Sequence, residues 1–419
     1  MAYKTKSITD YITSIKFLNR WSVVYGFILL LSVIYNSIYT FQFYDFSDLF
    51  INYQGGFIRR GLFGEFLYFL HQHGINPIYT AFAISIGSYA IILSYMSHQF
   101  YKHGYSVGIL LVSFLLGGIG VFGIAFFRRD FIVLCLFLLT MKLWQRLPLR
   151  QWIVCGNIVT IVALLCHEPY MFWAYPLLCL ITHLRNKNWL ATFAYWLPSL
   201  LTFLLCLHFS GNTEQYNIIR HSTETFLSFP NVMDFLSFDK EYVMRFHVYR
   251  NFIDSTYHIP NIIGSITSII IAIYFCTMST TVYNTSGISH KKEINYNALF
   301  LCVMVSQLPM FTILSTDYTR TIMYAALSSY IVLFTLNDEE CSALFPQAIV
   351  RATQKTTDAI KSFIPPSRLK ILFIMLCLSA VEWTGQGTFG ILRNSELGNA
   401  LMVVYKIATK ICTNIVVML

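Results

Sequence analysis

The sequence predicts an all-α, polytopic integral membrane protein of about 11 to 12 transmembrane helices, because apolar runs recur at the roughly 20-residue length needed to cross a hydrocarbon core. Of 419 residues, 56% are hydrophobic and only 12% charged, with a mean hydropathy of +0.58. That is far from the charge content of a soluble domain. Apolar runs follow one another from Trp21 almost to the C-terminus, and nothing between them is long enough for a soluble domain. Residues 1–419 therefore read as one transmembrane helical domain. It has one longer outer loop, 210–258, and an inner loop, 337–370.

At the N-terminus, Lys4, Lys6, Lys16 and Arg20 precede an apolar run over 22–43. The run is too long for a signal h-region and has no small-residue cleavage site, which predicts an uncleaved first span with the N-terminus cytoplasmic. The next segment, 44–77, lies on the far side and carries Asp45 and Asp48; its stretch 62–70 is apolar enough to lie in the interface. A second span, 78–97, returns to Lys102 and His103. A third, 105–127, delivers Arg128, Arg129 and Asp130 to the far side, and a fourth comes back to Lys142, Arg146 and Arg150.

Two short apolar runs follow, 151–166 and 170–183, joined by His167, Glu168 and Pro169. Each is shorter than a full crossing, which predicts a broken or deeply placed helical hairpin with proline at the break. Arg185 and Lys187 mark its inner end. A span over 189–209 then leads to the long outer loop, with Arg220, His221, Arg245, His247 and Arg250.

Spans over 260–281 and 298–315 flank His290, Lys291 and Lys292, and the chain surfaces at Asp317 and Arg320 before the tenth span. The inner stretch 337–370 holds Arg351, Lys355, Lys361 and Arg368. An eleventh span ends at Glu382 and Trp383. A last apolar helix, 399–419, carries Lys406 and Lys410 four apart, as either a span with snorkelling lysines or an interfacial helix.

The ten cysteines are scattered singly, mostly in apolar runs, with no ligand spacing, and read as small buried hydrophobes. His71 and His73 have no acidic partner nearby in sequence. No metal site and no cofactor is predicted. The net charge of +9 requires no nucleic acid, since anionic membrane lipid attracts cytoplasmic lysines.

Charges not used to draw the topology sort unevenly across it. Eleven of fourteen lysines fall on the inner side, with Lys240 outside and two in the last helix. Arginines divide into six inner and nine outer. Positive-inside sorting accounts for the lysines and leaves the outer arginines unexplained. Arginine differs from lysine chiefly in planar, two-point anion binding, so an arginine-rich outer face predicts a bound polyanion, naturally phosphate or pyrophosphate.

The stretch over 53–65 places Gly55 and Gly56 just before Arg59 and Arg60, a backbone free to turn beside two fixed forks of donors. Arg59 and Arg60, Arg128 to Asp130, His167 and Glu168, and Asp317 and Arg320 all fall where a span meets the outer face. Ionisable groups at membrane depth are costly and usually face an aqueous cavity or a bundle interior. Paired arginines can hold a lipid-linked pyrophosphate and stabilise a departing phosphate, while a carboxylate at the same level takes the proton from a sugar hydroxyl. Glu168 is the first candidate base, its pKa expected to be raised by desolvation between two half-spans. Asp45 and Asp48 are the alternatives.

A first span, an acidic loop, Gly-Gly-x-x-Arg-Arg-Gly, Arg-Arg-Asp, a His-Glu corner, Asp-x-x-Arg and one long loop make a layout that resembles the Wzy-type O-antigen polymerases of bacterial surface-polysaccharide clusters. The resemblance implies a multi-pass protein of the bacterial inner membrane. Periplasmic arginines, here Arg59, Arg60, Arg128, Arg129 and Arg320, would engage undecaprenyl-pyrophosphate-linked repeat units. A chain-length regulator and a flippase of the same pathway are the implied partners. Only one loop is long here, where better-known members have a matched arginine-rich pair. The first-loop acids also resemble GT-C glycosyltransferases, which would make Asp45 or Asp48 the base and a polyprenyl-phosphate sugar the donor. A lipid-linked oligosaccharide flippase is the third reading, although transporters tend to place polar groups near the midplane and often show repeats, which this chain lacks.

Overall fold

In hydrocarbon every backbone N–H and C=O must pair within its own segment, so apolar runs of this length fold as helices. The computed structural model describes residues 46–103, 129–227, 232–254, 290–315 and 318–363, with a few isolated positions besides. Over the described residues the chain is all-helical, without a strand. The predicted spans over 22–43, 105–127 and 260–281, the eleventh span and most of the last helix lie outside them, as do Asp45, Arg128 and Asp317.

A short 3-10 helix, Ser47–Phe50, leads into the 53–65 stretch and then α1 (Gly61–Gln72), so the interfacial run is a helix. Helix α2 (Pro77–Lys102) starts with proline at its first position, and the Asn76 side chain accepts from the backbone N–H groups of Ile78 and Tyr79. Helices α3 (Asp130–Trp144) and α4 (Leu149–Cys166) form a hairpin, closed where Trp152 Nε1 donates to the Thr140 carbonyl at 2.9 Å. Because α4 begins before the apolar run does, it is long and apolar enough to cross a membrane, contrary to the short half-span expected there. The chain breaks at His167 to Pro169 as expected, but the second run, expected as one short helix, is itself divided: α5 (Tyr170–Trp173) is a single turn, and Pro176 opens α6 (Tyr175–Asn186).

The run over 189–209 was expected to be one span and is instead a bent pair. Helices α7 (Trp189–Tyr195) and α8 (Leu197–His208) meet at 55°. Pro198 cannot donate to the preceding turn, which ends one helix and starts the next. Trp196 fills the inside of the bend, fully buried, donating from Nε1 to Thr182 Oγ1 at 2.8 Å. Gly156 makes room for it, since a Cβ there would lie 2.9 Å from the indole.

The long loop after α8 is folded, comprising α9 (Thr213–Thr223), a 3-10 turn (Val232–Leu236) and α10 (Lys240–Phe252). Beyond it come α11 (His290–Ser306), a π turn (Met310–Leu314) behind Pro309, α12 (Tyr318–Thr335), α13 (Asp338–Ser342) and α14 (Gln347–Phe363). Among the described residues α2 and α4 are long and apolar enough to span, and the bent pair makes up to a third.

Helix polarity sorts the two ends of the bundle. Helix α3 runs from Arg129 to Trp144 and α4 runs back, ending beside His167 and Glu168. The Thr335 carbonyl at the end of α12 accepts from Gln145 Nε2 at 2.9 Å, so the start of α12 lies at the Arg129 end. Arg185 stacks on Trp144 at 3.5 Å and pairs with Glu340 at the opposite end, roughly 20 Å away by helix rise.

Candidate functional site

The 53–65 stretch is built as a scaffold for two side chains. The Tyr53 N–H and the Gln54 Nε2 both donate to the Glu65 carboxylate, at 2.8 and 3.0 Å, tying the loop to α1. The Arg59 N–H donates to the Phe209 carbonyl at 2.9 Å, tying it also to the end of α8. Gly64 lets α1 lie directly on the preceding backbone, since a Cβ there would be 2.0 Å from the Ile51 carbonyl oxygen. Arg60 itself caps α1 from the left-handed region, φ 66°, where L residues with a Cβ are rare. The strain sets the direction of its side chain.

That side chain meets Glu168 in a fork. Arg60 Nε donates to Glu168 Oε2 and Arg60 Nη2 to Oε1, both at 2.7 Å, while Arg59 Nη1 lies 3.4 Å from Oε1. Asp48, in the 3-10 helix, is 3.7 Å from Arg60 on one oxygen and 3.7 Å from Arg129 on the other. Arg129 is fully buried, and its Nη2 also donates to the Asp48 backbone carbonyl. Three guanidiniums and two carboxylates, from four separate stretches of chain, thus form one charge cluster at one end of the bundle. Phe235 lies under both outer arginines, its ring centre 5.5 Å from the Arg59 guanidinium and 5.3 Å from that of Arg60, a cation–π arrangement.

Glu168 lies in the turn beyond the end of α4. Burial acts to raise its pKa, but the Arg60 and Arg59 charges, the Arg60 hydrogen bonds and neighbouring His167 outweigh it and hold the carboxyl well below the usual range. This corrects the expectation of a raised pKa: desolvation is the largest single effect, as expected, but the two guanidiniums, the Arg60 hydrogen bonds and His167 together outweigh it.

The cluster opens into a cavity of about 370 Å³, within the size range of small-ligand sites. Asp48, Arg59, Arg60, His167 and Glu168 form its charged end. Phe172, Phe203 and Leu207, the π turn's Ile313 and Leu314, and Val243 and Met244 of α10 make the apolar walls. Lys240 and His247 line it from α10, and Tyr324 from α12.

Of the predicted site residues, Asp48, Arg59, Arg60, Arg129, His167 and Glu168 are gathered here. Asp130 is adjacent but turned into the bundle, where the Tyr324 hydroxyl donates to it. Arg320 falls in the first turn of α12, one turn before Tyr324, with its side chain outside the description. Arg220 pairs with Glu224 and Arg245 with Glu241 on exposed helix surfaces, so these loop arginines are not in the cluster. His71 meets Thr225, and no group of three metal-binding side chains occurs among the described residues.

Phe235 and Lys240 were not singled out from sequence. The available signal was Lys240's standing as the one lysine placed on the outer side; Phe235 gave none. No family model matches the chain, and no curated protein and no solved structure matches it either.

Proposed function

We propose that the protein is a metal-independent glycosyltransferase that polymerises undecaprenyl-pyrophosphate-linked oligosaccharide repeat units at the outer face of the bacterial inner membrane, in O-antigen or capsule synthesis. The observation that carries this reading is the arginine fork of Arg59 and Arg60 at the charged end of a cavity with apolar walls. A lipid-linked pyrophosphate presents that combination: a polyanion recognised by guanidinium forks and a chain that prefers hydrocarbon.

In the reaction, the non-reducing-end hydroxyl of one unit attacks the anomeric carbon of another chain. The bond from that carbon to the pyrophosphate oxygen breaks, and undecaprenyl pyrophosphate leaves with the electron pair. Arg59 and Arg60, backed by Arg129, stabilise the charge that develops there. A cavity carboxylate, Glu168 or Asp48, takes the proton. In this reading the remaining spans complete a bundle of about 11 to 12 helices, the N-terminus is cytoplasmic and the cavity faces the periplasm. A flippase upstream and a chain-length regulator are its working partners.

One observation favours a second reading. Asp48 is buried within the cluster shortly after the predicted first span, the position of the acid in GT-C glycosyltransferases, which would use a polyprenyl-phosphate sugar and add single residues. A gel of surface lipopolysaccharide from a deletion strain of the native host separates the readings. Core carrying one repeat and no ladder is the expected result. A ladder of altered mobility would support the GT-C reading, and loss of every repeat with lipid-linked units accumulating inside would mean a flippase.

A further inference from the structure

The Arg59–Arg60 fork is occupied by one of the chain's own side chains. Glu168 fills it with the two-point geometry that guanidinium also offers to phosphate, and both arginines rest on the same aromatic face. The carboxylate is carried on a turn between α4 and α5, its backbone extended at His167 (φ −160°, ψ 101°), where a side chain can swing without unwinding a helix. The neighbouring cavity has room for a phosphate beside it, and Lys240 lines the same space. Behind the fork, Asp48 bridges Arg60 and Arg129, 3.7 Å from each.

We propose that Glu168 is the site's own stand-in for a substrate phosphate: the lipid-linked donor takes over the Arg59–Arg60 fork by exchange, and only the carboxylate so released acts as the base. This deepens, and rests on, the glycosyltransferase reading above. While clamped, the carboxylate is a poor proton acceptor, because two guanidiniums favour its charged form. Once a phosphate holds the arginines, Glu168 sits in a desolvated cavity without them and its basicity rises. The proton of the attacking hydroxyl then passes to Glu168 as the glycosidic bond forms and the bond to pyrophosphate breaks. When undecaprenyl pyrophosphate departs, Glu168 gives its proton to water and returns to the fork. Base strength is thereby tied to donor occupancy, so an empty site has no ready base.

The test is calorimetric titration of inorganic pyrophosphate into the full-length protein in detergent. With its competitor neutralised, Glu168→Gln should bind pyrophosphate about tenfold or more tightly than wild type, a gain near 1.4 kcal/mol. Arg60→Ala should lose binding. Equal or weaker binding by Glu168→Gln, with wild type binding through Arg60, overturns the exchange and leaves the phosphate-handling reading standing. No binding by wild type overturns both. Since Glu168→Gln leaves two partly buried cations facing an amide and can impair folding, infrared difference spectra of unmodified protein labelled with 13C-glutamate supply a second readout. Pyrophosphate should shift one glutamate carboxylate band, and an unchanged spectrum under saturating pyrophosphate overturns the proposal.

Discussion

Arg60 grips both oxygens of Glu168 at 2.7 Å across 108 residues of sequence, from a backbone held in the left-handed region. The link joins the loop after the first predicted span to the corner after α4, and it fixes both the shape and the charge state of the cavity's polar end.

Replacing Arg60 with alanine leaves a buried carboxylate facing only Arg59, the more distant of its two partners. Removing one partner of a buried pair costs about 3–5 kcal/mol, so thermal unfolding in detergent should show a large fall in midpoint. Arg60→Lys should recover part of the stability and little of the polymer ladder, because an ammonium cannot make the fork.

The Glu168 pKa lies below its unfolded value, so its contribution to stability is fully present above the unfolded carboxylate pKa of about 4.3. It is lost as pH falls from there through the folded value. The stability difference between wild type and Glu168→Gln should therefore be flat from neutral pH to about 5 and shrink below it, as read by denaturant titration at each pH.

Gly64 admits no side chain, because a Cβ would lie 2.0 Å from the Ile51 carbonyl oxygen. Gly64→Ala should cost at least about 1–3 kcal/mol, as overpacking does. Gly87 in α2 has nothing within 4 Å of a built Cβ, and Gly87→Ala should raise stability by about 0.5–1 kcal/mol through helix propensity. Unfolding midpoints of the two variants test the contrast.

Phe235 touches the arginines and none of the carboxylates is held by it. Phe235→Ala should weaken pyrophosphate binding by about 0.5–2 kcal/mol, the worth of a cation–π contact, while leaving Arg60 and Glu168 paired. Calorimetry measures the first, and an unchanged stability-against-pH profile the second.

Removing the Tyr324 hydroxyl deprives buried Asp130 of a donor. Tyr324→Phe should destabilise by about 1–3 kcal/mol, measurable by chemical unfolding.

The convergence of Arg59, Arg60, Arg129, His167 and Glu168 was legible in sequence because a charge at the end of an apolar run is expensive and needs company; Asp48 stood in the sequence only as an alternative base in the first loop. The partners were not legible. Burial alone predicts a raised Glu168 pKa, and the contact with Arg60 and Arg59, helped by His167, reverses it. Asp130 carries the same sequence signal as Arg129, yet it turns inward to Tyr324, a choice made by helix rotation at the start of α3. Phe235 and Lys240 reach the cavity from a loop whose short helices, with apolar and charged residues mixed round them, carry little periodic signal; His247, which the sequence marks among the loop's basic residues, reaches it from the same loop. The bend between α7 and α8 was available in Pro198 and was missed, because the apolar run continues across it without a break.

The charge cluster draws its members from chain made at different times. Synthesis runs from the N-terminus, so Asp48, Arg59 and Arg60 are made first, Arg129 follows, and Glu168 comes last of the five. Until the corner after α4 emerges, the earlier segments hold three cations against one anion. Tyr324, which completes the cavity wall, follows only after the outer loop and α11. The site is thus finished in two stages during biosynthesis: its second carboxylate arrives first, cutting the excess of cations from two to one, and its walls are closed afterwards.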